Sequence, residues 1–176
     1  MLITNNPEYK KRCDQLRWLG IDKDTYTRKN QTGDYLWKYE VPEVGFKCHM
    51  NDINAAMGIE QLKVLDEDNK RRKDIGKCYR SELSSSLTFM KREHEGSSTH
   101  FEPALAEDRD GLMQHLKAND IHPGVHYRRN DLYSTYKETQ LPNTGHLEER
   151  LITLPIHLLL SDDDVMRVVR VVQEGW

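Results

Sequence analysis

Two short stretches of this 176-residue chain gather side chains able to handle an anion. The first is Gly45-Phe46-Lys47-Cys48-His49-Met50-Asn51-Asp52, just ahead of a predicted helix start. Lys47 and His49, with the backbone N–H groups of a first helical turn, can hold a phosphate, because those groups point along the axis and the helix dipole favours negative charge. The plainer reading stands beside it: Lys47 is a solvated lysine and Asn51 a helix cap. The second stretch is Val125-His126-Tyr127-Arg128-Arg129-Asn130-Asp131, at the end of a predicted strand. Its imidazole, phenol, amide and two guanidinium groups suit an anionic, hydroxyl-rich ligand through charge-assisted and bidentate hydrogen bonds. The alternative there is a strand end with ordinary surface charges.

Other chemistries find little footing. No GxGxxG, Walker A, GxSxG or HExxH pattern occurs, so dinucleotide, triphosphate, serine-hydrolase and zinc-protease readings are unsupported. Cys13, Cys48 and Cys78 form an odd set without a CxxC, which argues against a disulfide framework or structural zinc and fits a reducing cytoplasm. Among 8 histidines only His122 and His126 have ligand-like spacing, and Pro123-Gly124 between them interrupts any helix, so no metal site is expected. Asp162, Asp163 and Asp164 are explained by capping and the helix dipole rather than by Mg²⁺.

The elements that position these stretches follow from periodicity. Leu2-Ile3-Thr4 reads as a short strand running into a helix capped by Asn6, with Pro7 at its first position, Tyr9, Cys13 and Leu16 on its buried face and Gly20 as its stop. From Ile21 to Met50 neither period holds; Tyr26, Tyr35, Trp37, Tyr39 and Phe46 stud a polar connection, a density that resembles interface anchors. A disordered loop is the alternative, at the cost of leaving those rings in water. A long helical pattern then runs over 51–83, opened by Asn51 and Asp52, with Ile53, Ala56, Met57, Val64 and Leu65, then Ile75, Cys78, Tyr79 and Leu83 recurring at helical spacing. Asp66/Lys70, Glu67/Arg71 and Asp68/Arg72 are expected as i, i+4 pairs on a solvated face, and Gly58 and Gly76 as places where the helix bends or breaks.

Residues 87–93 and 99–106 are weak strand candidates, with Pro103 consigning the second to an edge or a bulge. Asp108 caps a helix carrying Leu112, Met113 and Leu116, and 121–127 reads as a strand. Ser161 opens a last helix with Val165, Val168, Val169 and Val172 on one face. The pattern is a small α+β layer domain preceded by an arm and a fragment. Against 26 Lys+Arg stand 29 Asp+Glu, a formal charge of −3 without the basic footprint that duplex DNA requires. Charged residues at 31% and a mean hydropathy of −0.83 leave no apolar run near the roughly 18 residues of a membrane span. The N-terminus lacks a secretory pattern.

Several segments, taken in order, then carry a family likeness. They are Trp18-Leu19-Gly20-Ile21-Asp22-Lys23-Asp24-Thr25, Tyr39-Glu40-Val41, residues 45–58 from Gly45 through Lys47, His49 and Asn51 to Gly58, then Gln61-Leu62 and Leu65-Asp66. Glu107-Asp108-Arg109-Asp110, residues 124–131, Leu154-Pro155-Ile156-His157 and residues 160–165 continue the series. Together they resemble the DegT/StrS-type family of pyridoxal-phosphate-dependent sugar aminotransferases over nearly the whole chain.

The resemblance implies the C-terminal half of such an enzyme. Its fold would be the small C-terminal α+β domain of an aspartate-aminotransferase-like fold, a small mainly antiparallel sheet with helices. A remnant of the large cofactor domain (1–20), an extended subunit-contact arm (21–50) and linking helices (51–84) would precede that domain (85–176). In the family a lysine of the large domain forms the Schiff base with the cofactor. The resemblance places that lysine before Met1, so no residue here is expected to be catalytic and the chain is expected to be inactive alone. It gives Lys47 the position of an Asn that reaches the cofactor phosphate in trans, and His49 that of an Arg near the substrate phosphates; Cys48 stands where an aromatic is common. A lysine serves phosphate as a point charge but cannot copy an amide's geometry. His126, Tyr127 and Asn130 match the segment that approaches the sugar. The implied reaction moves an amino group from glutamate to a keto-sugar nucleotide in the cytoplasm. The expected partners are a second copy, an N-terminal half or an intact homologue, with neither nucleic acid nor membrane. The alternative role is a non-catalytic dimerisation or regulatory module acting on intact homologues.

Overall fold

The computed structural model describes residues 2–22, 39–91, 96–136 and 141–176 and is an α+β structure. It divides into two compact units, Met1–Gln61 and Leu62–Trp176. Tyr26, Tyr35 and Trp37 of the expected arm lie outside the described residues.

The first unit holds α1 (Pro7–Arg17) and the start of α2 (Asp52–Glu82). Asn6 caps α1 as its sequence predicts: Oδ1 accepts from the N–H of Glu8 at 2.9 Å and of Tyr9 at 3.4 Å, and Pro7 gives up an N–H that the first turn does not need. The expected strand at Leu2-Ile3-Thr4 does not form. A three-residue strand needs a neighbour to bond, and no described residue supplies one. The buried face expected of α1 is also missing: Tyr9 is exposed, Cys13 and Leu16 only half-buried, because none of the described residues of this unit lays a second layer over it.

Helix α2 runs unbroken for 31 residues, so neither Gly58 nor Gly76 interrupts it. Asn51 Oδ1 caps it by accepting from the Asn54 N–H at 2.8 Å. Its early apolar positions Ile53, Met57, Val64 and Leu65 are exposed, whereas Ile75 and Tyr79 are buried. The expected i, i+4 pairs give way to other partners. Lys70 bonds Asp74 at 3.2 Å, Arg72 donates to Asn69, and Arg71 reaches both Asp162 and the Leu160 carbonyl at 2.6 Å. A long guanidinium gains more from a carbonyl and a first-turn carboxylate than from one solvated acid.

The second unit is a sheet with helices on it. Strands β1 (Thr88–Phe89), β2 (Glu102–Leu105) and β3 (Leu151–Leu154) lie antiparallel in the order β1-β2-β3. Around them are α3 (Arg109–Ala118), α4 (Pro142–Arg150) and α5 (Asp162–Gln173). The core joins Ile75, Tyr79 and Leu83 of the linking helix and its end to Leu112 and Leu116, Ile152 and Leu154, and Val165, Val168, Val169 and Val172. Each such side chain contributes about 1.5–3 kcal/mol on burial. Asp108 caps α3 through the Gly111 N–H at 2.9 Å. Ser161 and Asp164 form a reciprocal capping box on α5.

Pro103 stands in the central strand rather than at an edge. Its partner on β3 is Thr153, whose N–H and C=O both bond Gly124 on the far side, at 2.8 and 2.9 Å. Pro103 and Thr153 are therefore a non-hydrogen-bonded pair, and the proline nitrogen faces β1, which has already ended at Phe89 opposite Ala104. The missing proton is not needed there. Residues 121–127 form no strand; only the Gly124–Thr153 bridge joins them to the sheet, as Pro123 cannot donate to a ladder. Behind the sheet, Glu102 is fully buried with Arg80 Nη2 at 2.5 Å from Oε1. Gly76 makes room for that carboxylate, since a Cβ there would come within 2.7 Å of Oε2. Among the described residues, no helix is long and apolar enough to cross a membrane.

Candidate functional site

The first predicted stretch is held by backbone against the end of α1. Leu19 N–H donates to the Phe46 carbonyl at 2.9 Å, Phe46 N–H to Leu16 at 2.6 Å and Cys48 N–H to Arg17 at 3.1 Å, and Trp18 bridges to Lys47. The approach requires glycine. Gly20 sits at φ +79°, and a Cβ on it would fall 1.8 Å from the Glu43 carbonyl oxygen. Lys47 Nζ then lies 3.6 Å from the centroid of the Trp18 ring, a cation–π contact, and His49 meets the same ring edge-on at 4.6 Å. Trp18 Nε1 and His49 Nδ1 are buried and make no hydrogen bond to any described residue. A fixed cation, an indole N–H and an imidazole nitrogen thus cluster around one ring, a donor set that suits an anionic oxygen. Trp18 and His49 line a cavity of about 380 Å³ with Lys10, Lys11 and Arg17. Asp14, bonded by Lys10 at 2.7 Å and by Arg17 at 3.0 Å, is held below the usual carboxylate range chiefly by the Lys10 hydrogen bond.

The second stretch is split by its own geometry. His126 turns inward: Nδ1 lies 2.7 Å from Thr153 Oγ1, and the ring stacks on Phe101 with centroids 5.3 Å apart. Gly124 permits this, because a Cβ there would stand 2.8 Å from His126 Cε1. Tyr127 is exposed and edge-on to His126, and Asn130 is exposed at the start of the short 3₁₀ turn Asn130–Leu132. The two arginines are spoken for. Arg129 grips Asp131 with Nε and Nη2 at 3.1 and 2.5 Å, lowering that carboxyl's pKa mainly through the hydrogen bond, and Arg128 lies over Tyr133. His126 alone of this stretch's predicted residues lines the larger cavity of the second unit, about 610 Å³ in volume.

Sequence reasoning missed most of that cavity's wall. His100 and Phe101 reach it from the connection before β2, Thr153 from β3, His157 from the connection after β3 and Arg167 from α5. Only the Leu154-Pro155-Ile156-His157 segment carried a signal, and that through family likeness rather than spacing. Tyr79 helps to fix this segment by donating its hydroxyl to the Pro155 carbonyl at 2.9 Å, and burial pushes the phenol's pKa well up. Among the described residues no group of three or more His, Cys, Asp or Glu side chains could hold a metal ion.

The α+β fold with its three-stranded antiparallel sheet matches that of aminotransferases. The chain belongs to the DegT/DnrJ/EryC1/StrS aminotransferase family, which it matches over residues 1–173. It is 33% identical over 189 aligned residues to the uncharacterized protein MJ1066 of Methanocaldococcus jannaschii, covering 99% of this chain and 48% of that one. Its fold is similar to the sugar aminotransferase CalS13 of Micromonospora echinospora, with a TM-score of 0.82, 26% identity and coverage of 97% and 46%. It is equally similar to the putative sugar aminotransferase Spr1654 of Streptococcus pneumoniae in its PMP form, with a TM-score of 0.83, 29% identity and coverage of 97% and 45%. The chain thus spans about half the length of these relatives.

Proposed function

We propose that these 176 residues are the C-terminal part of a nucleotide-sugar aminotransferase that takes its amino group from glutamate. The observation that carries this reading is the family match over residues 1–173, together with the likeness of nearly the whole chain to sugar aminotransferases. The implied organisation is a remnant of the cofactor domain (1–20), an arm (21–50), linking helices (51–84) and the small domain (85–176). The cofactor is pyridoxal phosphate, and the Lys47 ammonium over the Trp18 ring, whose Nε1 makes no hydrogen bond to any described residue, fits its phosphate in donor chemistry. When bound, the cofactor supplies the electron sink for amino transfer.

This chain's residues bind and orient. Lys47 offers a point charge to the phosphate of the cofactor on a second subunit, positioned by the Trp18 ring beneath it. His49 serves the substrate phosphates with the ring nitrogen that no described residue engages. His126, fixed by Thr153 and Phe101, Tyr127 and Asn130 approach the sugar. Proton transfer belongs to the lysine that anchors the cofactor, which the family likeness places outside these residues. The 176 residues are inactive alone and act in the cytoplasm with a second copy, an N-terminal half or an intact homologue.

A second reading, a non-catalytic dimerisation or regulatory module, is favoured by one feature. Val44, Phe46, Met50, Ile53 and Met57 of the first unit are exposed apolar side chains that suit a partner surface. Two measurements test the pair. The chain is mixed with pyridoxal phosphate, reduced with borohydride and weighed by mass spectrometry; no site-specific adduct is expected, and a single stoichiometric adduct with amination of a keto-sugar nucleotide would overturn the inactive-alone reading. Adding a polypeptide that bears the anchoring lysine is expected to yield amination, which a purely regulatory module would not.

A further inference from the structure

Four of the histidines converge on the cavity of about 610 Å³ in the second unit, from three separate connections. His100 comes from the connection before β2, His122 and His126 from the one after α3, and His157 from the one after β3. Such convergence is not needed to build the core, where imidazoles play no part. Arg167 of α5 adds a fixed cation; one of its nitrogens donates to the Asn119 carbonyl at 2.5 Å, leaving further N–H donors on the fork. Asp164 is bonded by the Ser161 hydroxyl and N–H, stays ionised and faces Arg167 and His157, so a bound phosphate must compete with it for Arg167; Asp120 lies exposed, 3.5 Å from His122. Ile121, Pro123, Leu154 and Ile156 supply an apolar side.

The volume lies within the roughly 300–1,000 Å³ of small-molecule sites. The frame is rigid on the His126 side. Gly124 exchanges both backbone bonds with Thr153, Thr153 Oγ1 takes His126 Nδ1, and Phe101 stacks on the ring. The imidazoles do not form a metal-binding group among the described residues.

We propose that this cavity is a binding site for a small phosphate monoester with an apolar body, its phosphate held by Arg167 and imidazole N–H groups and its body laid on the Ile121–Ile156 side. The guanidinium and imidazole donors match a tetrahedral oxyanion, and the mixed wall favours an organic ester over the bare ion. The cavity shares His126 with the residues assigned to the sugar above, whereas Tyr127 and Asn130 do not line it, and the phosphate is given to Arg167, which that reading does not use.

The test is a titration of the full chain with phenyl phosphate, followed by the histidine Cε1–H signals in NMR. His100, His122, His126 and His157 are expected to move together on one saturable curve, with His115 and His146 unmoved. Inorganic phosphate should bind about tenfold more weakly, and phenol should move none of them. Arg167→Met should weaken phenyl phosphate by about tenfold or more with the other signals in place, and Arg167→Lys should restore part of that loss. Gly124→Ala should shift His126 in the free protein. The proposal is overturned if the four signals stay still, if inorganic phosphate binds as tightly as the ester, or if Arg167→Met leaves the curve unchanged in a folded chain. Movement of His49 alone would also overturn it, and would instead report the phosphate site of the first unit.

Discussion

The two units differ in what covers their apolar side chains. Among the described residues, every buried hydrophobic side chain lies at Ile75 or beyond, while Ile53, Ile59, Met57 and Phe46 of the first unit stand more than half exposed. Helix α2 makes the contrast sharp, because its apolar residues recur at helical spacing along its length and only the later ones meet a sheet and other helices. Periodicity selects which face of a helix is apolar; burial depends on whether something lies against that face. The second unit therefore carries its own stability, and the first carries surface that suits a partner.

The largest effect should separate the units. Ile152→Ala opens a cavity in a fully buried position of β3 and should cost about 2–5 kcal/mol in urea unfolding of the full chain. Ile53→Ala in the same assay should stay within about 0.5 kcal/mol, as expected for an exposed site. Equal losses would mean that Ile53 is covered in solution by another copy, and dilution would then reduce its share.

Next comes the buried acid behind the sheet. Gly76→Ala sets a Cβ 2.7 Å from Glu102 Oε2 and 3.0 Å from Thr99 Cγ2, where helix, carboxylate and Arg80 are packed together. The expected loss is about 1–3 kcal/mol by overpacking, against the gain that alanine normally brings to a helix. A stabilised variant would mean that the carboxylate has room to move.

A smaller, pH-dependent effect belongs to the start of α5. Asp164 is held below its ordinary 3.8, first by the Ser161 hydroxyl and then by the Ser161 backbone. A carboxyl with a lowered folded pKa stabilises the fold fully above its unfolded pKa and loses that contribution as pH falls through the folded value. Thermal melts should therefore be flat from neutrality to about pH 5 and fall progressively below about pH 4. Ser161→Ala should cost about 1 kcal/mol near neutrality and shallow that acid slope, because the box that lowers the pKa is gone. An unchanged slope would assign the acid loss to Asp14 and Asp131, whose pKa values are also lowered, instead.

These cases mark what was legible in the sequence. Caps are local, so Asn6, Asn51, Asp108 and Ser161 could be read from neighbouring residues, and the valines of α5 from a strict period. Strand β3 escaped notice because all four of its residues are buried, leaving no alternation to read, and α4 because Pro142–Arg150 has no buried residue to set a period. The candidate positions fared likewise. His126 and Lys47 stood out by type and setting, but Thr153, Phe101 and Trp18, which fix them, lie 27, 25 and 29 residues away along the chain. Side-chain pairing across such distances follows from the sheet register and the loop contacts, which no local pattern encodes.

The smallest expected effect returns to the first unit. Gly58 lies inside α2, and a Cβ there would meet nothing within 4 Å. Glycine in a helix interior costs about 0.5–1 kcal/mol relative to alanine, through the extra freedom of the unfolded chain. Gly58→Ala should therefore raise helicity by circular dichroism and slow amide exchange around residues 54–62, with the unfolding of the second unit unchanged. The sign is opposite to that of Gly76→Ala on the same helix, and only the covering differs: open space at one glycine, a buried carboxylate at the other. If Gly58→Ala instead destabilises the chain at high concentration and not at low, the open side of α2 is where a second copy packs, and the bare face of the first unit is an interface rather than a solvated surface.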